Sequence, residues 1–394
     1  MKMRECVIVS MARTPVGRVG GGLSSITAAD LGAIAIKESV KRAGIDPDII
    51  DDVIYGNILN NDWQNIARAS ALAAGLPMHV PAIKVDRECG SGANAVAFGT
   101  MAVQTGFYDV AVCGGVESDS TRPWIMTKPK RAFQVPCPDM FYDPPSVTDE
   151  IGECPMVDTA QNVGEKFGMS RTECDEFALR SHELAEAAWK RGFFDESVIE
   201  ISVPQKKGEP LVVKKDETIR PQTTMESLAK LKPVAYRGDL VTAGNSSPLC
   251  DGAAALVLME KSMADSLGLK AIGKVTGYAV AGVHPHFMGM GPMAAVPKLL
   301  KKTGLELKDI DFIEINEAFA AQAVPSCRDL GFDMNKVNVN GGAIALGHPM
   351  GGTGAILTIK ALDQLRDQSG KYGLVTMCIG GGQGIAMLVE NCRF

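Results

Sequence analysis

The sequence predicts an α/β protein built from two copies of one mixed-sheet unit, with an inserted region between them. Three observations carry this reading. First, "KRAGIDPDIIDDVIYGNIL" from Lys41 lies over "KKTGLELKDIDFIEINEAF" from Lys301 at a constant offset, matching Gly44 with Gly304, Ile50 with Ile310, Asp51 with Asp311 and Val53 with Ile313. Second, "AIKVDRECGSGANAVAFGTMAV" and "VNVNGGAIALGHPMGGTGAILTIKAL" both read as strand, glycine-rich turn and helix. Each is followed by an apolar strand ending in a cysteine and glycines, "VAVCGGVE" with Cys113 and "LVTMCIGGGQG" with Cys378. Third, strands alternate with helices throughout both copies, the pattern of parallel or mixed sheets.

Taken in order, the N-terminal "MKMRECVIVSMARTP" reads as a strand. The first copy then runs helix, glycine stop, short turn and strand, and the strand–turn–helix that carries Cys89 follows. From about residue 119 to 242 the composition turns proline-rich and charged, as in "RPWIMTKPKRAFQVPCPDMFYDPPS". One helix stands out there, "SRTECDEFALRSHELAEAAWKRG", with Ser170 as N-cap, Glu173 completing a capping box and Gly192 closing it. Between Ile201 and Leu240, eight Lys or Arg face five Asp or Glu; such a run is most often a solvated face, and otherwise an anion site. The predicted division is 1–118 with 243–270 as the N-terminal half, 119–242 as an inserted loop domain, and 271–394 as the C-terminal half.

At 394 residues with 46% hydrophobic content, the chain has material for two or three compact units. A formal charge of -6 and a pI near 5.5 argue against a nucleic-acid or anionic-membrane surface, so a small-molecule partner is expected. The ten cysteines include no C-x-x-C pair, which excludes a zinc ribbon or thioredoxin-like motif and suggests reduced thiols in a soluble, cytoplasmic protein. No signal peptide is visible, and no apolar run approaches the roughly 18 residues of a membrane span. His284 and His286 have the i, i+2 spacing of metal ligands on a strand, but no third ligand is evident and no metal is expected.

The stretch "VNVNGGAIALGHPMGGTGA" sets six glycines around His348 in a chain with five histidines. Gly347 to Gly352 has the spacing of a phosphate-binding loop, yet Thr353 occupies the place of the required lysine. The dinucleotide fingerprint fails too, because no third glycine follows Gly354 where one is needed. The motif is therefore expected to present His348 to a reaction. Cys89 precedes Gly90, Ser91 and Gly92 at a helix start, where unpaired amides and the helix dipole lower a thiol pKa; the plainer alternative is an inert buried thiol. Asn316, in "NEAFAAQ", follows the strand "DFIEI", at the strand end where α/β ligand sites gather.

With "VTAGNSSPLCDGAAA" from Val241 and "MGMGP" from Met288, these four motifs, in order and over essentially the whole chain, resemble the thiolase family of acetyl-CoA acyltransferases. The resemblance implies a layered α-β-α-β-α fold with an inserted loop domain, and reversible condensation or thiolysis of 3-ketoacyl-CoA through an acyl-cysteine. It implies Cys89 as nucleophile, His348 as its base and Cys378 as the thiol that moves a proton at the carbon beside the thioester. Asn316 would steady an enolate oxygen beside His348, and the amides of Cys89 and Gly380 would form a second oxyanion site. Arg220, Ala243 and Ser247 match contacts to coenzyme A, while Met156, Met288, Ala318 and Phe319 match the pantetheine or acyl end. Coenzyme A and acyl-CoA are then substrates, no cofactor stays bound, and a homodimer or homotetramer is expected.

Three positions depart from the family pattern: Pro155 before Met156, where many short-chain members carry histidine, together with Val116 and Asn94. They bear on acyl specificity, between the acetoacetyl-CoA type and a longer-chain type. A decarboxylating condensing enzyme is the nearest rival, but its site pairs a cysteine with two histidines, or a histidine and an asparagine, and here a second cysteine stands at 378. A non-catalytic carrier on the same scaffold would need none of Cys89, His348 and Cys378.

Overall fold

The computed structural model describes residues 3–128, 140–141 and 144–392. Cys137 and part of the proline-rich segment lie outside them. Strand β1 (Cys6–Arg13) leaves the N-terminus fully buried. Helix α1 (Ala28–Ala43) is capped by the Thr27 side chain and ends at Gly44, whose φ of 66° is the left-handed stop that the repeat predicts. Strand β2 (Asp52–Gly56), helix α2 (Ile66–Ala73), strand β3 (Ala82–Val85), helix α3 (Ser91–Thr105) and strand β4 (Val110–Ser118) follow. The first copy closes with β5 (Cys250–Glu260), far along the chain.

The second copy repeats this as β6 (Gly273–Gly282), a helix at Gly291–Thr303 that stops at Gly304 with φ 73°, then β7 (Phe312–Ile315). Its closing strands are β8 (Tyr372–Ile379) and β9 (Gln383–Asn391). The ten-stranded sheet runs β7-β8-β9-β6-β1-β5-β4-β2-β3, with the two-residue strand Gly17–Arg18 added beside β5. β2 pairs parallel with β4, and β7 parallel with β8, while β5 with β4 and β9 with β8 are antiparallel. Within the sheet, β1 pairs with β6 at Ile8 and Gly273, which joins the two half-sheets edge to edge. The partner of β3 in the second copy is reduced to one parallel bridge, Ile313 with Val337.

Three cores stack through the molecule. The outer core of the first half packs α1 and α2 on one sheet face through Leu31, Ile36, Ile66 and Val112. The central core joins both half-sheets across α3 and the long helix of the second half, through Val96, Leu258, Leu357 and Met387. The third packs the helix Gly291–Thr303 on the far face through Val296, Leu299 and Leu388. The layers therefore read α-β-α-β-α. Each such buried Leu or Ile removes surface worth roughly 1.5–3 kcal/mol.

Between β4 and β5, helices α4 (Met156–Lys166), α5 (Arg171–Lys190) and α6 (Met225–Ala229) lie over the second half. The Ser170–Glu173 capping box forms as predicted. This region is pinned to the first half by a buried pair, in which Arg13 Nη1 and Nη2 donate to Asp216 Oδ1 and Oδ2 at 2.8 and 3.0 Å. The Trp189 indole N–H and the Val16 amide also donate to that carboxylate. Removing one partner of such a pair would cost about 3–5 kcal/mol by leaving the other charge buried alone.

Candidate active site

The long helix of the second half, Met350–Asp367, follows a one-turn helix at Ala343–Leu346, and His348 lies in the turn between them, 7% exposed. Gly347 has φ 89°, so the turn itself requires glycine. The later glycines serve packing. A side chain at Gly354 would strike the Ala93 amide nitrogen at 2.1 Å, and one at Gly115 would strike the Gly351 carbonyl at 2.0 Å. Small residues thus let the starts of the two central helices meet backbone to backbone, and that approach draws the Cys89 and His348 turns together. Gly351, Gly352 and Gly354 face protein backbone.

Cys89 is half-buried in the turn between β3 and α3, two residues before the first helical position. The amides of Gly380 and of Cys89 itself reach its sulfur and hold the pKa down. Burial outweighs them, and the nearby Cys378 and Glu88 add to the rise, so the thiol is pushed well above the usual cysteine range. This corrects the expectation of a thiol lowered by the helix start. Cys378, next to last in β8 and 1% exposed, is pushed by burial up to about 12. Burial pushes the His348 imidazole down to about 4.

Asn316 directly follows β7 and is fully buried, its Nδ2 standing 3.3 Å from His348 Nε2. On the other side of the ring, Nδ1 is 2.6 Å from Thr353 Oγ1. The His348 amide donates to Cys250 Sγ at 3.1 Å, and the Gly351 amide donates to the buried Glu117 carboxylate at 3.0 Å. Neither Thr353, Cys250 nor Glu117 was singled out from sequence as a site residue. Thr353 lay in the quoted motif, where its only mark was failing to be a lysine.

Arg220 and Ala243 line a cavity of about 220 Å³ together with His182, Ser227 and Ile344. Ile344 sits just before His348 in the chain and packs in one cluster with Cys378, Met288, Ala318 and Phe319. Ser247 is not among the lining residues, although its neighbour Ser246 is. Its amide donates to the Ala318 carbonyl at 2.9 Å and ties the two residue groups together. Met156 opens α4 at the rim, 36% exposed, behind Pro155. His182, unremarked in the sequence, accepts the Arg220 amide on Nδ1 at 3.2 Å. Burial first, and the Arg220 charge second, push it down to about 4. Of the eight basic residues between Ile201 and Leu240, Arg220 alone is among the lining residues.

Of the three departures, Asn94 has a visible reason. It is buried and accepts from Arg87 Nε, while Arg87 Nη1 donates to Gln383 Oε1 at 3.1 Å, joining the Cys89 turn to the start of β9, the strand paired with that of Cys378. Val116 fills the outer core beside α1. Among the described residues, no His, Cys, Asp or Glu cluster is arranged to hold a metal ion, and no helix is long and apolar enough to cross a membrane.

A half-buried thiol at a turn before a helix, a buried imidazole and a second buried thiol, brought in by the two halves, are groups suited to acyl transfer. The chain matches the model of the thiolase N-terminal domain over residues 6–262 and that of the thiolase C-terminal domain over 269–391. It is 42% identical to the acetyl-CoA acetyltransferase of Cupriavidus necator, covering 99% of this chain and 100% of that protein. It is 44% identical to the β-ketoadipyl-CoA thiolase of Acinetobacter baylyi, with the same coverage. The crystal structure of human mitochondrial 3-ketoacyl-CoA thiolase in complex with CoA superposes with a TM-score of 0.92 at 39% identity, covering 99% of this chain and 98% of that one. The chain belongs to the thiolase family and is an acyltransferase.

Proposed function

We propose that the protein makes and breaks 3-ketoacyl-CoA thioesters by a reversible Claisen reaction, with short acyl groups as its main substrates. The observation that carries the reading is the pair of amides, from Gly380 and Cys89, at the Cys89 sulfur. An acyl carbonyl carbon bonded to that sulfur would place its oxygen beside both amides, and each such donor is typically worth about 3–4 kcal/mol in the transition state.

In the condensing direction, His348 Nε2 takes the Cys89 proton as the sulfur attacks the thioester carbonyl. The carbon–sulfur bond to coenzyme A breaks, and coenzyme A leaves with the proton from His348. Cys378, acting as its thiolate, then removes a proton from the carbon beside the carbonyl of a second acetyl-CoA, whose enolate oxygen is met near Asn316 and His348. The carbanion attacks the acyl-Cys89 carbonyl, a carbon–carbon bond forms, and Cys89 leaves as thiolate and recovers the proton that Cys378 holds, which returns Cys378 to thiolate. Thiolysis is the reverse.

Coenzyme A is assigned to the cavity at Arg220 and Ala243, with Ser247 between that cavity and the acyl end at Met156, Met288, Ala318 and Phe319. Residues 119–242 act as the domain that carries it, between halves formed by 1–118 with 243–270 and by 271–394. The protein works in the cytoplasm as a homodimer or a homotetramer. The edge strand β3 supports the dimer, since Ile83 on it is 50% exposed and Phe98 and Met101 on the adjoining α3 are 37% and 39% exposed. An uncovered strand edge beside apolar side chains favours pairing with a second copy.

The test is intact mass after mixing with acetyl-CoA. Wild type should gain one acetyl group at Cys89 and Cys89→Ala none; an undiminished adduct elsewhere on the variant defeats the assignment. Light scattering at micromolar concentration should give at least a dimer mass.

A further inference from the structure

We propose that Thr353 is a positioning residue for this reaction: its hydroxyl selects the His348 tautomer that leaves Nε2 free of a proton and turned to Asn316. The inference rests on the role given above to His348. A threonine hydroxyl has one proton. Thr353 Oγ1 lies 3.0 Å from the Pro349 carbonyl oxygen, which also takes the Gly352 and Thr353 amides and can only accept, and the hydroxyl proton is assigned to that carbonyl. This is the bond a threonine in a first helical turn makes to the carbonyl four residues back. The hydroxyl oxygen therefore presents a lone pair to His348 Nδ1 at 2.6 Å, and Nδ1 must carry the proton. Nε2 is left with its lone pair, facing the Asn316 amide nitrogen at 3.3 Å.

The competing tautomer has a ready partner, which is why the hydroxyl matters. Asn316 Oδ1 is buried and has no hydrogen-bond donor among the described residues. A half-turn of the Asn316 amide would let it accept from a protonated Nε2 and so disable the base. Among the described residues, the other contacts of His348 are Nε2 with Asn316 Nδ2 and the main-chain amide on Cys250 Sγ, which does not sense the ring. Once Nε2 has taken the Cys89 proton, the Nδ1–H bond to Thr353 persists and supports the cation.

Two variants separate this from a packing role. Thr353→Val keeps the shape and removes the acceptor, and Thr353→Ser keeps the acceptor and removes a methyl. In protein labelled with ¹⁵N at its histidines, wild type and the serine variant should show His348 with Nδ1 protonated and Nε2 bare near neutral pH. The valine variant should show the protonation transferred to Nε2 in part or in full. For acetoacetyl-CoA thiolysis, the valine variant should lose about tenfold to a hundredfold in kcat, the value of one buried hydrogen bond, with KM unchanged and the serine variant restored. An unchanged His348 spectrum in the valine variant overturns the proposal, as does a serine variant as slow as the valine one. The spectrum needs no turnover, so a wild type that cleaved no ketoacyl-CoA would refute the proposed function without touching the tautomer result.

Discussion

Before substrate arrives, Cys89 and His348 should face each other as neutral thiol and neutral imidazole. Burial lifts the thiol and lowers the imidazole to about 4. Moving the proton from sulfur to nitrogen in the empty site is therefore uphill, and the ion pair is the minor state. The assay is the rate of iodoacetamide alkylation at Cys89, mapped by peptide mass between about pH 6 and 9, because only the thiolate reacts. The rate should climb about tenfold per pH unit without a plateau, since each unit multiplies the thiolate fraction by ten. His348→Ala should leave that slope intact while slowing acetylation by acetyl-CoA about 10²- to 10⁴-fold, the usual worth of a general base. A plateau already reached near neutral pH would show a preformed thiolate–imidazolium pair and refute the reasoning.

Cys378→Ala should still acquire an acetyl group at Cys89 yet lose methyl proton exchange in deuterated water by about 10²- to 10⁴-fold; exchange at the wild-type rate would remove Cys378 from that role. Arg220→Ala should raise KM for coenzyme A severalfold with kcat nearly unchanged, because its guanidinium is solvent-exposed and an exposed ion pair is worth about 1 kcal/mol or less. Added salt should erase that difference. 3-Ketohexanoyl-CoA should be cleaved within about tenfold of acetoacetyl-CoA in kcat/KM, as one methylene in an apolar pocket is worth roughly 1–3 kcal/mol. A thousandfold preference for acetoacetyl-CoA would mean that Met288 closes the pocket despite Pro155.

The repeat was legible because its signals are local: Gly44 and Gly304 must each adopt a positive φ to stop a helix, and the apolar runs around Cys113 and Cys378 are each buried on both faces of a sheet. The positions of Cys89, Asn316 and His348 at strand ends and helix starts followed from the same punctuation. What stayed hidden depends on the tertiary approach of the two copies. The pKa of Cys89 was misjudged because the helix start is visible in sequence, whereas the burial that overrides it is tertiary, and Cys378, whose charge adds to the rise, lies almost three hundred residues away. Glu117 and Cys250 were hidden for the same reason: each meets the His348 turn only after the central helices have docked. Thr353 is the opposite case. Its bond to Pro349 is local, and a threonine four residues after a proline in a first helical turn could have been read as an oxygen whose proton is spent. The histidine one residue before that proline is then the ring that the oxygen faces, and the tautomer follows from two side chains and one main-chain carbonyl within six residues of chain.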